Sequence, residues 1–199
     1  MAIIVNKEEK RRVIALSCSE LLLTHGIDNL TISEIAKTAG VGKGTIYEYF
    51  ENKEDIVFEI ITTFMAGYEE KLLEVVEKSA SVKKRIYHFF ALIFEDPNYH
   101  KQLNLYQEFL AISLTNGTEE MIAFSIVCKK RFTDILTQII EEAIKKGEIR
   151  PEARDLVPAL IIFEKGLVVD TRATAIDAEA EITHFLDALF ELIMVKEGR

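Results

Sequence analysis

Seven consecutive positions carry the chain's most chemically versatile grouping: Lys43, Gly44, Thr45, Ile46, Tyr47, Glu48 and Tyr49. On a helix, steps of about 100° set Gly44, Thr45 and Glu48 opposite the stripe formed by Ile46 and Phe50 at i and i+4. Lys43 and Tyr47 edge that polar face on one side and Tyr49 on the other. An ammonium, a hydroxyl and two phenols around a glycine suit phosphate oxygens and base edges in a major groove. Gly44 lets the backbone itself approach closely. Elsewhere the residues argue against catalysis. His25, His88, His100 and His184 make no metal-binding spacing and are read as solvated or capping histidines. Cys18 and Cys128 stand apart and are read as buried apolar thiols, with a redox role as the alternative. No glycine-rich phosphate loop and no nucleophile elbow occurs. No enzyme activity, metal or cofactor is therefore expected.

The polar face needs a scaffold, and the preceding residues supply one. Thr31 and Glu34 fit a capping box that opens a short helix. Ile32, Ile35 and Ala36 share its inner face, and Ala36 is small where a second helix must come close. Gly40 supplies the positive φ of a sharp helix-to-helix turn, and Val41 would plug the core from that turn. Two short helices joined in this way make a helix-turn-helix; the bland alternative is a helical hairpin with no nucleic-acid role. Thr31 and Lys53 stand at helix starts, where free amides favour a phosphate.

The rest of the chain is predicted to be helical. It has 199 residues with only 9 Gly and 3 Pro, and no convincing period-2 alternation. The first helix, capped by Asn6 with Glu9 in support, should end near His25 and Gly26 and bury Val13, Leu16, Leu21 and Leu22 or Leu23. Asn52 should cap a long helix reaching about Ser79, with Glu54 and Asp55 in its first turn. Further helices are expected at about 82–95, 98–114, 119–146, 155–174 and 177–196, about nine in all. Pro158 is tolerable only within a first turn. The longest apolar run, 156–163, has 8 residues and contains Pro158, too short to cross a membrane. Neither a signal peptide nor a membrane partner is expected, and a cytoplasmic protein is. The net charge of −9 divides unevenly: residues 1–53 hold seven basic and seven acidic side chains, so the whole excess lies beyond them. DNA affinity would then rest on a few placed cations and amides rather than on a basic field.

Residues 31–53 resemble the DNA-binding signature of the tetracycline-repressor (TetR) family. The matching residues are Ile35-Ala36, Ala39-Gly40-Val41, Lys43-Gly44-Thr45, Tyr47-Glu48-Tyr49-Phe50 and Lys53. The resemblance covers roughly residues 8–60; beyond that it extends only to helix count, length and order. It implies an all-α homodimer. Residues 1–52 would form a three-helix DNA-binding domain and 53–199 a helical ligand-binding and dimerisation domain. Carried over by position, Thr31, Lys43, Thr45, Tyr47, Tyr49 and Lys53 should touch DNA, with Gly42, Gly44 and Glu48 at the same surface. Two residues depart from the commoner pattern. Gly42 stands where a serine is frequent, which removes a hydroxyl contact and cap. Glu48 stands where histidine, tyrosine or arginine is frequent; it either accepts from a cytosine amino group or points away.

Two apolar stripes in the last helices, Leu156, Leu160, Phe163, Leu167 and Ile182, Phe185, Leu189, Ile193, suit a four-helix bundle between two copies. The interface is placed on Leu160, Phe163, Leu167, Phe185, Leu189 and Ile193; packing within the chain is the alternative. One recognition helix reads few bases, so two half-sites about 34–36 Å apart give useful specificity. Of the 18 Phe and Tyr residues, 12 lie between Phe58 and Phe132, enough to line an apolar cavity as well as fill a core. Candidate ligand contacts are Tyr68, Tyr106, Phe109, Phe124 and Phe132, with Asn104, Glu108 and Arg131 as polar groups. These expectations describe a repressor that binds a palindromic operator and is released by a small apolar effector. The alternatives are a DNA-binding regulator without a small-molecule effector, and a helical enzyme or carrier for an apolar substrate.

Overall fold

The computed structural model describes residues 7–26 and 30–195. Asn6, expected to cap the first helix, and Lys196, expected to end the last, lie outside them. The described residues form α1 (Lys7–Ser17), α2 (Ser19–His25), α3 (Ile32–Thr38), α4 (Lys43–Tyr49), α5 (Lys53–Lys78), α6 (Val82–Glu95), α7 (Pro97–Asn116), α8 (Glu119–Lys145), a 3-10 turn (Pro151–Leu156), α9 (Val157–Ala173) and α10 (Ala178–Ile193). The only extended pairing among them is an isolated antiparallel bridge between Ile149 and Met194. The chain is thus all-α, as expected, with the predicted first helix split in two.

Local chemistry explains the boundaries. Asn52 accepts from the Asp55 amide at 2.8 Å and opens α5, while the Asp55 carboxylate reaches back to the Glu51 amide at 2.9 Å. Ser81 caps α6, Thr118 caps α8 and Asp177 caps α10, each through its side-chain oxygen. α7 begins one residue earlier than expected, because Pro97 sits where its missing N–H costs nothing and Asp96 precedes it. Pro158 falls in the first turn of α9, with a 3-10 turn taking up the residues before it. The split at Cys18 has a visible cause. The Cys18 amide bonds Ala15 O at 3.0 Å in place of the i−4 carbonyl, and Ser17 Oγ donates to Ile14 O at 2.7 Å.

Residue contacts divide the chain into two units. The first comprises Met1–Gly67 and Lys101–Ile122; the second comprises Tyr68–His100 and Ala123–Arg199. In the first, Ile14, Ala15, Cys18, Leu22, Ile35, Ala36, Ile46, Phe50, Ile56 and Ile60 are buried. The stripe expected on the first helix is therefore corrected. Val13 and Leu16 are 61% and 41% exposed, and the inward set is Ile14, Cys18 and Leu22 at strict i, i+4 spacing. Both stripes have helical period, so periodicity alone did not separate them.

In the second unit α10 packs on α6, joined by a Lys83–Asp187 ion pair and by Phe90 against Phe185 at 6.4 Å. Leu160, Leu167, Leu189 and Ile193, expected to face a second copy, are all buried within the chain. Phe163 and Phe185 stack on each other at 4.0 Å. The four aliphatic members are therefore intrachain core, while Phe163 and Phe185 are half-buried. The apolar side chains left outside on the same helices are Ile162, Val169 and Leu192, at 68%, 51% and 70% exposure.

Candidate nucleic-acid interface

The interface is built on α3, the turn after it, and α4. The capping box that opens α3 is complete: Thr31 Oγ1 accepts from the Glu34 amide at 3.3 Å, and Glu34 Oε2 accepts from the Thr31 amide at 2.9 Å. A further bond from Thr31 Oγ1 to Glu34 at 2.8 Å completes the loop, and the Thr31 amide first, then its hydroxyl, hold the Glu34 carboxyl below its usual range. At the other end Gly40 adopts φ 66°, and the Val41 amide bonds Ala36 O at 2.9 Å while the Gly40 amide bonds Lys37 O at 3.2 Å. That paired pattern closes the helix and turns the chain sharply. Val41 is half-buried beneath it.

Ile35 and Ile46 are fully buried, with Ala36 and Phe50 nearly so. Seating α4 by Ile46 and Phe50 turns its opposite side outward. Gly42, Lys43, Gly44, Tyr47 and Glu48 are exposed, with Tyr47 62% accessible. Thr45 and Tyr49 are half-buried at the edges. Gly42 makes no side-chain cap, so nothing from its own side chain occupies the first-turn amides of α4. Two predicted contacts are partly engaged by the chain itself. The Thr31 hydroxyl belongs to the capping box, and Lys53 Nζ donates to Leu30 O at 3.0 Å.

Arg11 was missed from sequence as anything but one of seven basic groups, yet it holds the far end of α4. Its Nε donates to Glu59 of α5 at 2.8 Å, its Nη1 donates to Tyr49 O at the last turn of α4, and its guanidinium lies 4.7 Å from the Phe50 ring centroid. Lys10 adds a cation over the Tyr49 ring at 5.6 Å. The spacing of Arg11 from α1's buried stripe was the available signal, but its partner Glu59 lies 48 residues away. A groove of about 640 Å³ beside α4 carries five carboxylates, Glu48, Glu51, Asp55, Glu119 and Glu120, against the single guanidinium of Arg11. That acidic groove takes in Tyr47 and Glu48 of α4 itself, whereas the exposed Lys43 and Lys37 lie outside its lining.

The candidate effector residues fall in two groups. In the second unit Tyr68 is buried, meets Tyr99 edge-on at 5.1 Å and tilts on Phe132 at 6.0 Å. Phe132 continues to Phe89 at 6.2 Å, and Phe124 is half-buried. Arg131 is exposed and paired with Glu69 at 2.8 Å. In the first unit Phe109 is buried between Phe58 and Tyr106, with ring centroids 6.1 and 6.4 Å away. Glu108 is half-buried there and Asn104 is exposed. No group of side chains able to hold a metal ion occurs among the described residues, and none of their helices is long and apolar enough to cross a membrane.

The family model of bacterial regulatory proteins, tetR family, matches residues 19–60, the segment that contains α3 and α4. The HTH-type transcriptional regulator YhgD of Bacillus subtilis is 31% identical over 147 residues, covering 72% of this chain and 73% of that protein. The fatty acid metabolism regulator protein of B. subtilis is 29% identical over 196 residues, covering 94% of this chain and 95% of that one. Among solved structures, the B. subtilis transcriptional regulator FadR in complex with stearoyl-CoA superposes with a TM-score of 0.65 at 26% identity, over 89% of this chain and 96% of that one.

Proposed function

The chain belongs to the TetR family of transcriptional regulators, and from that premise we propose that it represses transcription by binding a palindromic operator as a homodimer and lets go when a small apolar effector binds. The observation that carries the reading is the exposed side of α4, where Lys43, Gly44, Tyr47 and Glu48 stand clear of the chain on a helix seated by Ile46 and Phe50. Gly42, Thr45, Tyr49, Thr31 and Lys53 border that surface. Residues 1–52 are the DNA-binding segment, and 53–199 carry effector binding and dimerisation, in the cytoplasm. The relatives are regulators, and one similar chain is in complex with stearoyl-CoA; the aromatic series of the second unit is where this chain would take an apolar effector.

Dimerisation belongs on the outward faces of α9 and α10 rather than on the buried stripes. Ile162, Gly166 and Val169 fall on one side of α9, and His184, Ala188 and Leu192 on one side of α10; all are exposed. Small residues between exposed aliphatic ones let two helices from each copy approach closely. α5 runs unbroken from Lys53 to Lys78 and is the element through which an effector would change operator affinity. By linkage, effector and operator must then weaken each other equally.

The test is selection of bound duplexes from a random pool, repeated with candidate effectors. A palindrome with half-sites about one helical turn apart is expected, with binding that weakens steeply as salt rises. Protein that ignores every duplex at low salt would defeat the reading. Equal operator affinity with and without saturating effector would defeat its ligand-responsive part.

A further inference from the structure

Among the described residues, α8 exposes more large apolar side chains than any other helix: Ile122, Ile126 and Val127, at 52%, 63% and 48%. α8 is one unbroken helix from Glu119 to Lys145, so its own spacing fixes its faces. The inward face is clear. Met121, Ile135, Leu136, Ile139 and Ile140 are buried, and Phe124, Cys128 and Phe132 are half-buried. Over the first three turns the opposite face stays exposed. Steps of about 100° set Glu119, Ala123, Ile126 and Lys130 in one exposed row, at i, i+4, i+7 and i+11. Ile122 flanks that row on one side and Val127 on the other. Single exposed apolar residues are ordinary, but a contiguous patch of them marks a contact surface.

The order of side chains along the row says what covers it. It runs acid, small apolar, large apolar, base. Laid antiparallel against itself, it sets Glu119 opposite Lys130 and Ala123 opposite Ile126, and both pairs recur in reverse because they share one midpoint. A small side chain opposite a large one lets two helices close. A parallel pairing would instead oppose Glu119 to Glu119 and Lys130 to Lys130. The face is therefore complementary to itself about a two-fold axis. Glu119 makes no ion pair with a described residue. Lys130 meets Asp134 at 2.6 Å, but with side chains 74% and 60% exposed that pair contributes little and can be exchanged. Other occupants fit one end alone: an anionic lipid surface or a duplex would be repelled by Glu119 and Glu120, and a basic segment by Lys129 and Lys130.

We propose that the first three turns of α8 are a second self-contact, at which two copies pair antiparallel across a two-fold axis and join α9–α10 dimers two by two. The contact uses a different helix from the outward faces of α9 and α10. The α8 pairing stands without operator or effector; only the count of four rests on the dimer proposed above. The six side chains of the patch fall short of the roughly 20–30 residues a side of a standard stable interface. Pairing is thus expected at high protein concentration, or between dimers brought together on one duplex.

The experiment is sedimentation velocity of the full-length protein at rising concentration, without DNA because Glu119 also lines the groove beside α4. The parent should pass from dimer to tetramer. Ile126→Glu, at a position already exposed, should keep its helical signal and melting temperature, retain the dimer and lose the tetramer. Glu119→Lys and Lys130→Glu should each need about tenfold more protein to form the larger species, since like charges then meet at both ends of the seam. An equimolar mixture of those two variants should regain the parent's assembly, because each meets opposite charge in the other. At the concentration where the parent forms tetramers, Ile162→Glu should leave dimers held by α8, and Ile162→Glu combined with Ile126→Glu should leave monomers. A dimer that Ile126→Glu splits and Ile162→Glu leaves intact supports the α8 contact and sinks the α9–α10 reading. A dimer that grows no further and ignores Ile126→Glu overturns the proposal while leaving that reading in place. A mixture of the charge variants that assembles no better than either alone also overturns it.

Discussion

Replacing Arg11 by methionine removes a charge that never needs to touch DNA and should still weaken operator binding. The side chain is 31% exposed and its partner Glu59 is 19% exposed, so the pair is partly screened and contributes about 1 kcal/mol. Its bond to Tyr49 O adds about 1 kcal/mol, because it satisfies a carbonyl in the last turn of a helix only 7 residues long. The guanidinium over Phe50 adds roughly 0.5 kcal/mol at this exposure. Methionine keeps most of the apolar stem, so the expected loss is about 2–3 kcal/mol, a fall in melting temperature of roughly 5–10 °C for a chain of this size. The melts must be run at one protein concentration, since a dimer's stability depends on it. Arg11→Lys, with a point charge for a fork, should fall between. Operator titrations across salt concentrations then separate two roles. A residue that positions α4 lowers affinity and leaves the salt slope unchanged; a phosphate contact lowers the slope by about one. Unchanged melting for Arg11→Met, or a slope reduced by one, would refute the positioning argument.

Lys43→Ala should show the opposite pattern, weakening binding to all sequences with a salt slope smaller by about one, measured by the same titrations. Gly40→Ala places a Cβ at φ 66° and should destabilise by about 1–2 kcal/mol in a denaturant melt, without any new clash, since nothing lies within 4 Å of the added atom. The capping box gives a pH test. The Glu34 carboxyl titrates below its unfolded value, so its stabilisation is full above the ordinary glutamate range and is lost as pH falls through the lowered folded value. The stability gap between the parent and Glu34→Gln should therefore be constant from about pH 6 upward and close under acid, near and below about pH 4. Ile162→Glu puts a charge on the outward face of α9 and should shift the protein toward monomer in analytical ultracentrifugation with little loss of helical signal.

The short-range grammar of the DNA-binding segment was legible because its causes are local. Thr31 with Glu34, Gly40 at the turn, and Asn52 before α5 each act within four residues. The outward face of α4 followed from Ile46 and Phe50 alone. What the sequence concealed was the choice between equivalent faces. α1 carries apolar residues at Val13 and Leu16 as well as at Ile14 and Cys18, and α9 carries Ile162 and Val169 opposite Leu160 and Leu167. A helix apolar on two sides has no preferred inward stripe until its neighbours are placed. Arg11 depended on a partner in a distant helix, which no local pattern announces.

The packing of α10 on α6 has a consequence during synthesis. The partners of α3 and α4 follow one another on the ribosome, so the DNA-reading hairpin can close soon after it emerges. α6 cannot do the same. Its Phe89 and Phe90 meet Phe132 of α8 and Phe163 of α9 first, but the rest of its cover waits for a helix that begins at Ala178, more than 80 residues after Glu95. At roughly 5–20 residues per second, the part that α10 covers stays open for about 4–17 s. Translation pauses in that interval, or loss of the final helix to a premature stop, would leave the cell with a finished DNA-reading hairpin attached to a sticky, unfinished partner.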